Sequence, residues 1–163
     1  MSVRAIVRGV AEWLEWVEQI LIRVLFLGLV VVVFTGVLLR YVFRVPLIWG
    51  EELSLFMFIW LALLSGSIAV RRRLHFRMAE LIAKLPKPLR TSLDIAALLC
   101  MATLTVILGW QGYNLAGSGL AEQAPALRVP MVWVYAAYPV GAASMMVFLL
   151  EGFLVGPPTS GGA

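Results

Sequence analysis

Residues that could carry chemistry are few in this sequence, and they are most concentrated between positions 40 and 53. Pro46 and Gly50 in this segment predict a turn between two helices. Glu51 and Glu52 follow the turn and would fall in the first turn of the second helix. One interpretation is that each acid stabilises the helix by ~0.3–1 kcal/mol, because its negative charge lies near the positive end of the helix dipole. The other is that an outward-facing carboxylate pairs with an arginine of a partner protein. The residues alone leave both interpretations open.

Trp60 lies near the middle of the apolar stretch that follows, away from the ends where interfacial tryptophans are usual. It shares one helical face with Glu52 and Phe56, because the three stand at i, i+4 and i+8. A tryptophan here either faces lipid or packs within the helix bundle, or it anchors a partner, and these interpretations remain open. Glu51 lies about 100° around the helix from Glu52, where it would cap the helix or pair with Arg40. We predict a partner interface made of Arg40, Trp49, Glu51, Glu52, Phe56 and Trp60.

The sequence lacks the residue sets on which most catalytic and cofactor sites depend. His75 is the only histidine and Cys100 is the only cysteine. It contains no Ser/His/Asp set, no glycine-rich phosphate loop and no metal-ligand cluster. A haem held between two histidines is excluded within one chain. We therefore predict that the protein is not an enzyme, holds no cofactor and does not bind nucleic acid.

Four apolar stretches indicate how these residues are positioned. Hydrophobic residues make up 62% of the chain and charged residues 13%, against about 45–50% and about 25% in soluble domains. A spanning helix needs ~20 mostly apolar residues, and four stretches have this character with no charge in their middle. The predicted fold class is an all-α membrane protein, with a single membrane domain over residues 1–155. The four transmembrane helices are expected at about residues 20–41, 51–70, 93–112 and 131–151.

Basic residues are unevenly distributed between the two sides of such a bundle. The N-terminal segment and the second connection together carry ten lysines and arginines, whereas the other side carries Arg40, Arg44 and Arg128. Because basic connections stay in the cytoplasm, we predict that both termini are cytoplasmic. Trp110 and Tyr113 fall near the opposite boundary and fit an interfacial aromatic belt there. The arginines expected to hold anionic lipid headgroups at the inner boundary are Arg71, Arg72, Arg73 and Arg77.

Two amphipathic helices are predicted outside the spans. In residues 1–19, apolar side chains recur at helical spacing opposite a polar stripe. This pattern favours an interfacial helix that lies in the membrane plane and leads into the first span. A shorter apolar stripe over residues 76–85 predicts a second, cytoplasmic amphipathic helix, which prolines end. The tail at residues 156–163 is predicted to be disordered.

The order of several residues along the chain resembles one known family. The densest part is the first connection and the start of the second span, with Arg40, Tyr41, Phe43, Pro46, Leu47, Trp49, Glu51, Glu52 and Leu53. Further matches are Trp60, Gly66, His75, Gln123, Pro125, Leu127, Pro130, Tyr135 and Pro139. Together, on a four-span chain, they resemble the small membrane subunit of the tripartite ATP-independent periplasmic (TRAP) transporters. The likeness covers nearly the whole chain in length, span number and loop placement.

The resemblance implies a function in the bacterial inner membrane. In such systems a periplasmic substrate-binding protein captures an organic acid and delivers it to the membrane. A large membrane subunit then carries substrate and sodium by an elevator-type motion, and the small subunit resembles a fixed scaffold beside it. The expected partners are therefore the large TRAP membrane subunit, the periplasmic binding protein and membrane lipids.

Two other functions fit four apolar helices less well. A small multidrug-type exporter needs an acid embedded in the membrane to bind its cation, and Glu51 and Glu52 stand at a helix end instead. A membrane anchor subunit of a respiratory enzyme would hold haem or quinone. One histidine argues against haem, and quinone remains the open alternative.

Overall fold

The computed structural model describes residues 3–73 and 87–154, and this part of the chain is almost entirely helical. The helices are α1 (Val3–Tyr41), α2 (Ile48–Arg73), α3 (Lys87–Ser118), α4 (Val132–Tyr135) and α5 (Ala137–Leu154). The backbone of Ala136 is itself helical, so α4 leads into α5 without a sharp turn. Four helical stretches are long and apolar enough to cross a membrane, and the last of them joins α4 to α5. This confirms the predicted all-helical class and the number of spans.

The N-terminal segment does not form a helix of its own. Residues 3–41 make one continuous helix of 39 residues, which at ~1.5 Å per residue is about 58 Å long. Neither glycine nor proline occurs between Val10 and Leu27 to interrupt it. The predicted separate interfacial helix at residues 1–19 is therefore not confirmed. The helix predicted at residues 76–85 and the tail at 156–163 lie outside the described residues.

The last helix, α5, organises the packing of the bundle. It contacts α1, α2 and α3, while α1 also packs along α2. Its buried side chains make up much of the apolar core and include Ala142, Met145, Phe148 and Leu149. The first helix, by contrast, buries only Ala11 and Glu18 among its described side chains, and most of its large apolar residues are exposed.

Two glycines set how closely the helices approach α5. A Cβ at Gly112 of α3 would lie 2.5 Å from Cβ of Tyr138 and 3.0 Å from the backbone nitrogen of Pro139. A Cβ added at Gly141 of α5 would lie 3.1 Å from Cβ of Leu63 on α2. Contacts this close require small residues on one of the two helices. The positions of α2 and α3 on either side of α5 therefore depend on these glycines.

Polar contacts divide the bundle into two ends. At one, which we call the loop end, Glu52 at the start of α2 binds the connection between α3 and α4. At the other, which we call the charged end, Arg71 of α2 joins Glu15 of α1 to Glu151 of α5. The first half of α1 and the last turn of α5 thus lie at the same end of the bundle.

Candidate functional site

At the loop end, the short connection between α1 and α2 is bridged by an exposed ion pair. The guanidinium of Arg40 in the last turn of α1 donates to the carboxylate of Glu51 in the first turn of α2. Their side chains are 58% and 71% exposed. The pair lies beside a shallow cleft of about 260 Å³, with Gly36, Val37 and Leu47 among its lining residues. The sequence offered this pairing as one of two roles for Glu51.

The neighbouring acid, Glu52, fixes a different connection. Its Oε2 accepts hydrogen bonds from the backbone N–H groups of Ala126, at 3.0 Å, and Leu127, at 2.8 Å. These amides belong to a turn that also closes on itself, because the amide of Ala124 donates to the carbonyl oxygen of Val129 at 2.9 Å. The carboxylate therefore finds its donors within the chain and holds the α3–α4 connection against α2.

The face of α2 that carries Glu52 also carries Trp60, whose indole Nε1–H donates to the carbonyl oxygen of Trp133 at 2.9 Å. Phe56 stands between them and is half-buried. Glu52, Phe56 and Trp60 share a face, as their spacing predicted. The two polar residues of this face bind the chain itself: Glu52 binds the α3–α4 connection, and Trp60 binds α4. The exposed face of α2 instead carries Glu51, Leu55 and Phe58, at i, i+4 and i+7.

Several large side chains remain exposed around the Arg40–Glu51 pair. They come from the end of α1, the connection and the start of α2, and they are Tyr41, Val42, Phe43, Val45, Ile48 and Trp49. We call this group, together with Leu55 and Phe58, the aromatic surface. An apolar surface rimmed by charges is typical of a site where lipid or another protein packs.

The charged end holds a buried ion cluster that links three helices. Nε and Nη2 of Arg71 each donate to one carboxylate oxygen of Glu151 at 2.8 Å, which is a two-pronged pairing. Nη1 of the same guanidinium donates to Glu15. The side chain of Arg71 is only 3% exposed, and its guanidinium carbon lies 5.3 Å from the ring centroid of Phe148. Such a packed, fully paired guanidinium ties α1, α2 and α5 together.

The arginines predicted to bind lipid headgroups are thus not alike. Arg71 points into the protein, where its guanidinium forms ion pairs with the carboxylates of Glu15 and Glu151. Arg72 is 62% exposed and lies 3.5 Å from Glu15, so most of its guanidinium faces outward. The side chain of Arg73 and the whole of Arg77 lie outside the described part of the chain.

A third acid, Glu18, lies in the same end of the bundle and is 2% exposed. Its Oε2 is 2.6 Å from the hydroxyl oxygen of Ser67, and that oxygen is also 2.7 Å from the carbonyl oxygen of Leu64. Oε1 of Glu18 is buried and makes no hydrogen bond, although the hydroxyl of Ser144 lies close to the carboxyl group.

Sequence reasoning missed this cluster. Its members come from three helices, with 56 positions between Arg71 and Glu15 and 80 between Arg71 and Glu151, so no local spacing reveals it. The available signal was that Glu18 and Glu151 each stand among apolar residues near the end of a predicted span. Among the described residues, no group of three or more His, Cys, Asp or Glu side chains is arranged to hold a metal ion.

Comparison with known proteins gives a consistent set of relatives. A family model described as "Tripartite ATP-independent periplasmic transporters, DctQ component" matches residues 29–156. The C4-dicarboxylate TRAP transporter small permease protein DctQ of Vibrio cholerae is 28% identical over 99 residues, which cover 61% of this chain and 43% of that protein. The sialic acid TRAP transporter small permease protein SiaQ of the same species is 27% identical over 139 residues, or 83% of this chain and 78% of that protein.

A much longer relative matches as well. The sialic acid TRAP transporter permease protein SiaT of Haemophilus influenzae is 28% identical over 150 residues. The match covers 86% of this chain but only 23% of that protein. A segment similar to this chain therefore occurs within a far larger permease, and the chain spans less than half of the Vibrio cholerae DctQ protein as well.

Proposed function

Because the chain belongs to the DctQ component family of the tripartite ATP-independent periplasmic transporters, we propose that it acts as a fixed scaffold beside a larger permease subunit. It is the small permease subunit of such a transporter and not an enzyme. The larger subunit would carry an organic acid, delivered by a periplasmic binding protein, together with sodium in an elevator-type motion. The small subunit would hold that moving subunit in place.

The distribution of charge carries this proposal. No charged residue occurs in positions 24–39, 53–70, 95–118 or 132–150, which form the middle of the four spans. The charged side chains of the described spans gather at the loop end and the charged end, where Arg40–Glu51 and Arg71–Glu151 are paired. Proteins that couple ion movement to transport usually place ionisable groups deep in the membrane, facing a water path. A chain without such groups is suited to bracing rather than to ion coupling.

The docking surface for the larger subunit is proposed at the loop end of α1 and α2. Trp49 belongs to the aromatic surface, and the exposed Arg40–Glu51 pair lies beside it, so a partner could reach all three residues. Glu52, Phe56 and Trp60 would support docking indirectly, because they hold the α3–α4 connection and α4 against α2. The much longer relative SiaT supports pairing with a larger subunit, because it contains a segment like this chain inside a large permease.

We further propose that the charged end faces the cytoplasm of a bacterial cell, with the protein in the inner membrane. The basic residues of the second connection support this orientation. In it, Arg72, Arg73 and Arg77 would lie at the inner boundary, where arginines bind anionic lipid headgroups.

Reconstitution into liposomes tests the scaffold role. The chain alone should give no sodium-dependent uptake, with or without the binding protein, because the middle of its spans holds no charged residue. Adding the larger subunit should restore uptake. Robust uptake by the isolated chain would remove the scaffold function.

Co-purification in mild detergent tests the docking surface. A Trp49→Ala, Phe58→Ala double variant should lose much of the larger subunit. The matched control is Leu104→Ala with Ile107→Ala on α3, which removes comparably exposed apolar side chains outside the proposed surface and should retain it. The reverse result would move the docking surface to α3.

A further inference from the structure

The buried acid Glu18 stands apart from the proposed scaffold role and precedes residues 29–156, which match the family model. It lies between three helices, each of which presents polar or charged groups to it. The first helix contributes Glu15 beside it, α2 contributes Ser67 and Arg71, and α5 contributes Ser144. Arg71 in turn binds Glu151, and Arg72 lies 3.5 Å from Glu15. Glu18 is the acid in this group whose carboxyl contacts no arginine directly.

The hydrogen atoms around Glu18 can be counted. The hydroxyl oxygen of Ser67 is 2.6 Å from Oε2 of Glu18 and 2.7 Å from the carbonyl oxygen of Leu64. A serine hydroxyl has a single hydrogen, a backbone carbonyl can only accept, and an ionised carboxylate can only accept. If Glu18 were ionised, two acceptors would compete for one hydrogen. Each short contact has a hydrogen of its own only if the second hydrogen is on Glu18, whereas an ionised Glu18 would have to share one hydrogen in a weaker three-centre bond.

The balance of charge points the same way. Glu15 and Glu151 are matched by Arg71 and Arg72, which lie at hydrogen-bonding or ion-pair distance from them. An ionised Glu18 would add a third negative charge that no described arginine or lysine contacts, at a position that is 2% exposed. Burying an unpaired ionised carboxylate is strongly unfavourable. Its Oε1, which makes no hydrogen bond, is far better tolerated as the carbonyl oxygen of a neutral acid.

We propose that Glu18 is a proton-binding site between α1, α2 and α5. The proton is held on Oε2 and donated to the hydroxyl oxygen of Ser67, whose own hydrogen is donated to the carbonyl oxygen of Leu64. Release of this proton to water would leave a second carboxylate beside Glu15. The hydroxyl hydrogen of Ser67 would then be shared between the Glu18 carboxylate and the carbonyl oxygen of Leu64, which weakens the contact between α1 and α2. The site therefore links the presence of one proton to the contact of α1 with the rest of the bundle.

Infrared spectroscopy of the purified full chain in an ester-free detergent tests the proposal. At neutral pH the parent should show the C=O stretch of a neutral carboxylic acid, which shifts in heavy water and is separate from the carboxylate stretch. The Glu18→Gln variant should lose this band. The matched control Glu12→Gln removes an exposed acid of the same helix and should leave the band in place. If the neutral-acid bands of the parent and of Glu18→Gln are identical, Glu18 is ionised and the proposal is overturned.

Three further measurements distinguish a bound proton from a bound cation or a paired carboxylate. The Ser67→Ala variant should shift the band without removing it, because the acid loses its acceptor but keeps its proton. Adding sodium chloride in place of potassium chloride should leave the band unchanged. Loss of the band with sodium would mean that a cation replaces the proton, which would contradict the proposal. Since Glu18→Gln keeps the shape of a neutral acid, its melting temperature should equal that of the parent, and a large drop would indicate a paired carboxylate instead.

Discussion

Glu51 and Glu52 are neighbours in the sequence, yet their carboxylates have different partners. Glu51 pairs with Arg40 across the short α1–α2 connection, and this pairing could be anticipated because both residues flank one turn. Glu52 binds the amides of Ala126 and Leu127, which are 74 and 75 positions away. From the sequence, Glu52 could either favour the positive end of α2 or pair with an arginine of a partner, and the folded chain shows that its own backbone provides the donors instead.

The two acids should therefore differ in their contribution to stability. Glu52→Ala leaves two backbone amides without their acceptor, and an unsatisfied buried group costs ~1–3 kcal/mol. Glu51→Ala removes an exposed ion pair and should cost about 1 kcal/mol or less. Unfolding in mixed micelles measures both variants, and limited proteolysis at residues 119–131 should be faster in Glu52→Ala only. Equal effects would mean that the amides of the turn find other partners.

At the scale of helices, close contact between α3 and α5 depends on Gly112, where an added Cβ would lie 2.5 Å from Cβ of Tyr138. Gly112→Ala should therefore push the two helices apart, and overpacking of this kind typically costs ~1–3 kcal/mol. Gly117→Ala in the same helix is the matched control, because nothing lies within 4 Å of its Cβ position. That variant should be neutral or stabilising by up to ~1 kcal/mol. The apparent melting temperature in detergent distinguishes the two, and an unchanged value for Gly112→Ala would show that α3 is not held by this contact.

The ion cluster links helices in a different manner, through one guanidinium shared by two acids. Removing one partner of a buried pair costs ~3–5 kcal/mol, so Arg71→Met and Glu151→Met should each strongly lower the free energy of unfolding. The double variant should cost less than the sum of the two, since neither charge is then left alone. Arg40→Met, which breaks the exposed pair at the loop end, is the control and should cost about 1 kcal/mol or less. Additive effects at Arg71 and Glu151 would rule out direct coupling.

At the scale of the whole molecule, the helices were predictable and many of their contacts were not. Span number follows from local hydropathy, and four suitable helices are present. The expectation of a separate helix at residues 1–19 was not confirmed, because a stripe of polar residues is equally compatible with a helix that packs its acids against α2 and α5. Arg71 was expected at the lipid headgroups because it begins a basic run, and its pairing with Glu151 depends on helices that only the fold brings together.

The proposed orientation of the molecule rests on the asymmetry of its basic residues and can be tested by labelling. Cys100, the only cysteine, is exposed in α3, so the experiment starts from a Cys100→Ser background. Leu120→Cys places a thiol in the α3–α4 connection at the loop end, at a position that is 72% exposed. Lys84→Cys places one in the basic second connection. In intact spheroplasts a membrane-impermeant maleimide should label Leu120→Cys at once, because connections poor in lysine and arginine are translocated. Lys84→Cys should react only after the membrane is permeabilised, and labelling of Lys84→Cys from outside would invert the proposed topology.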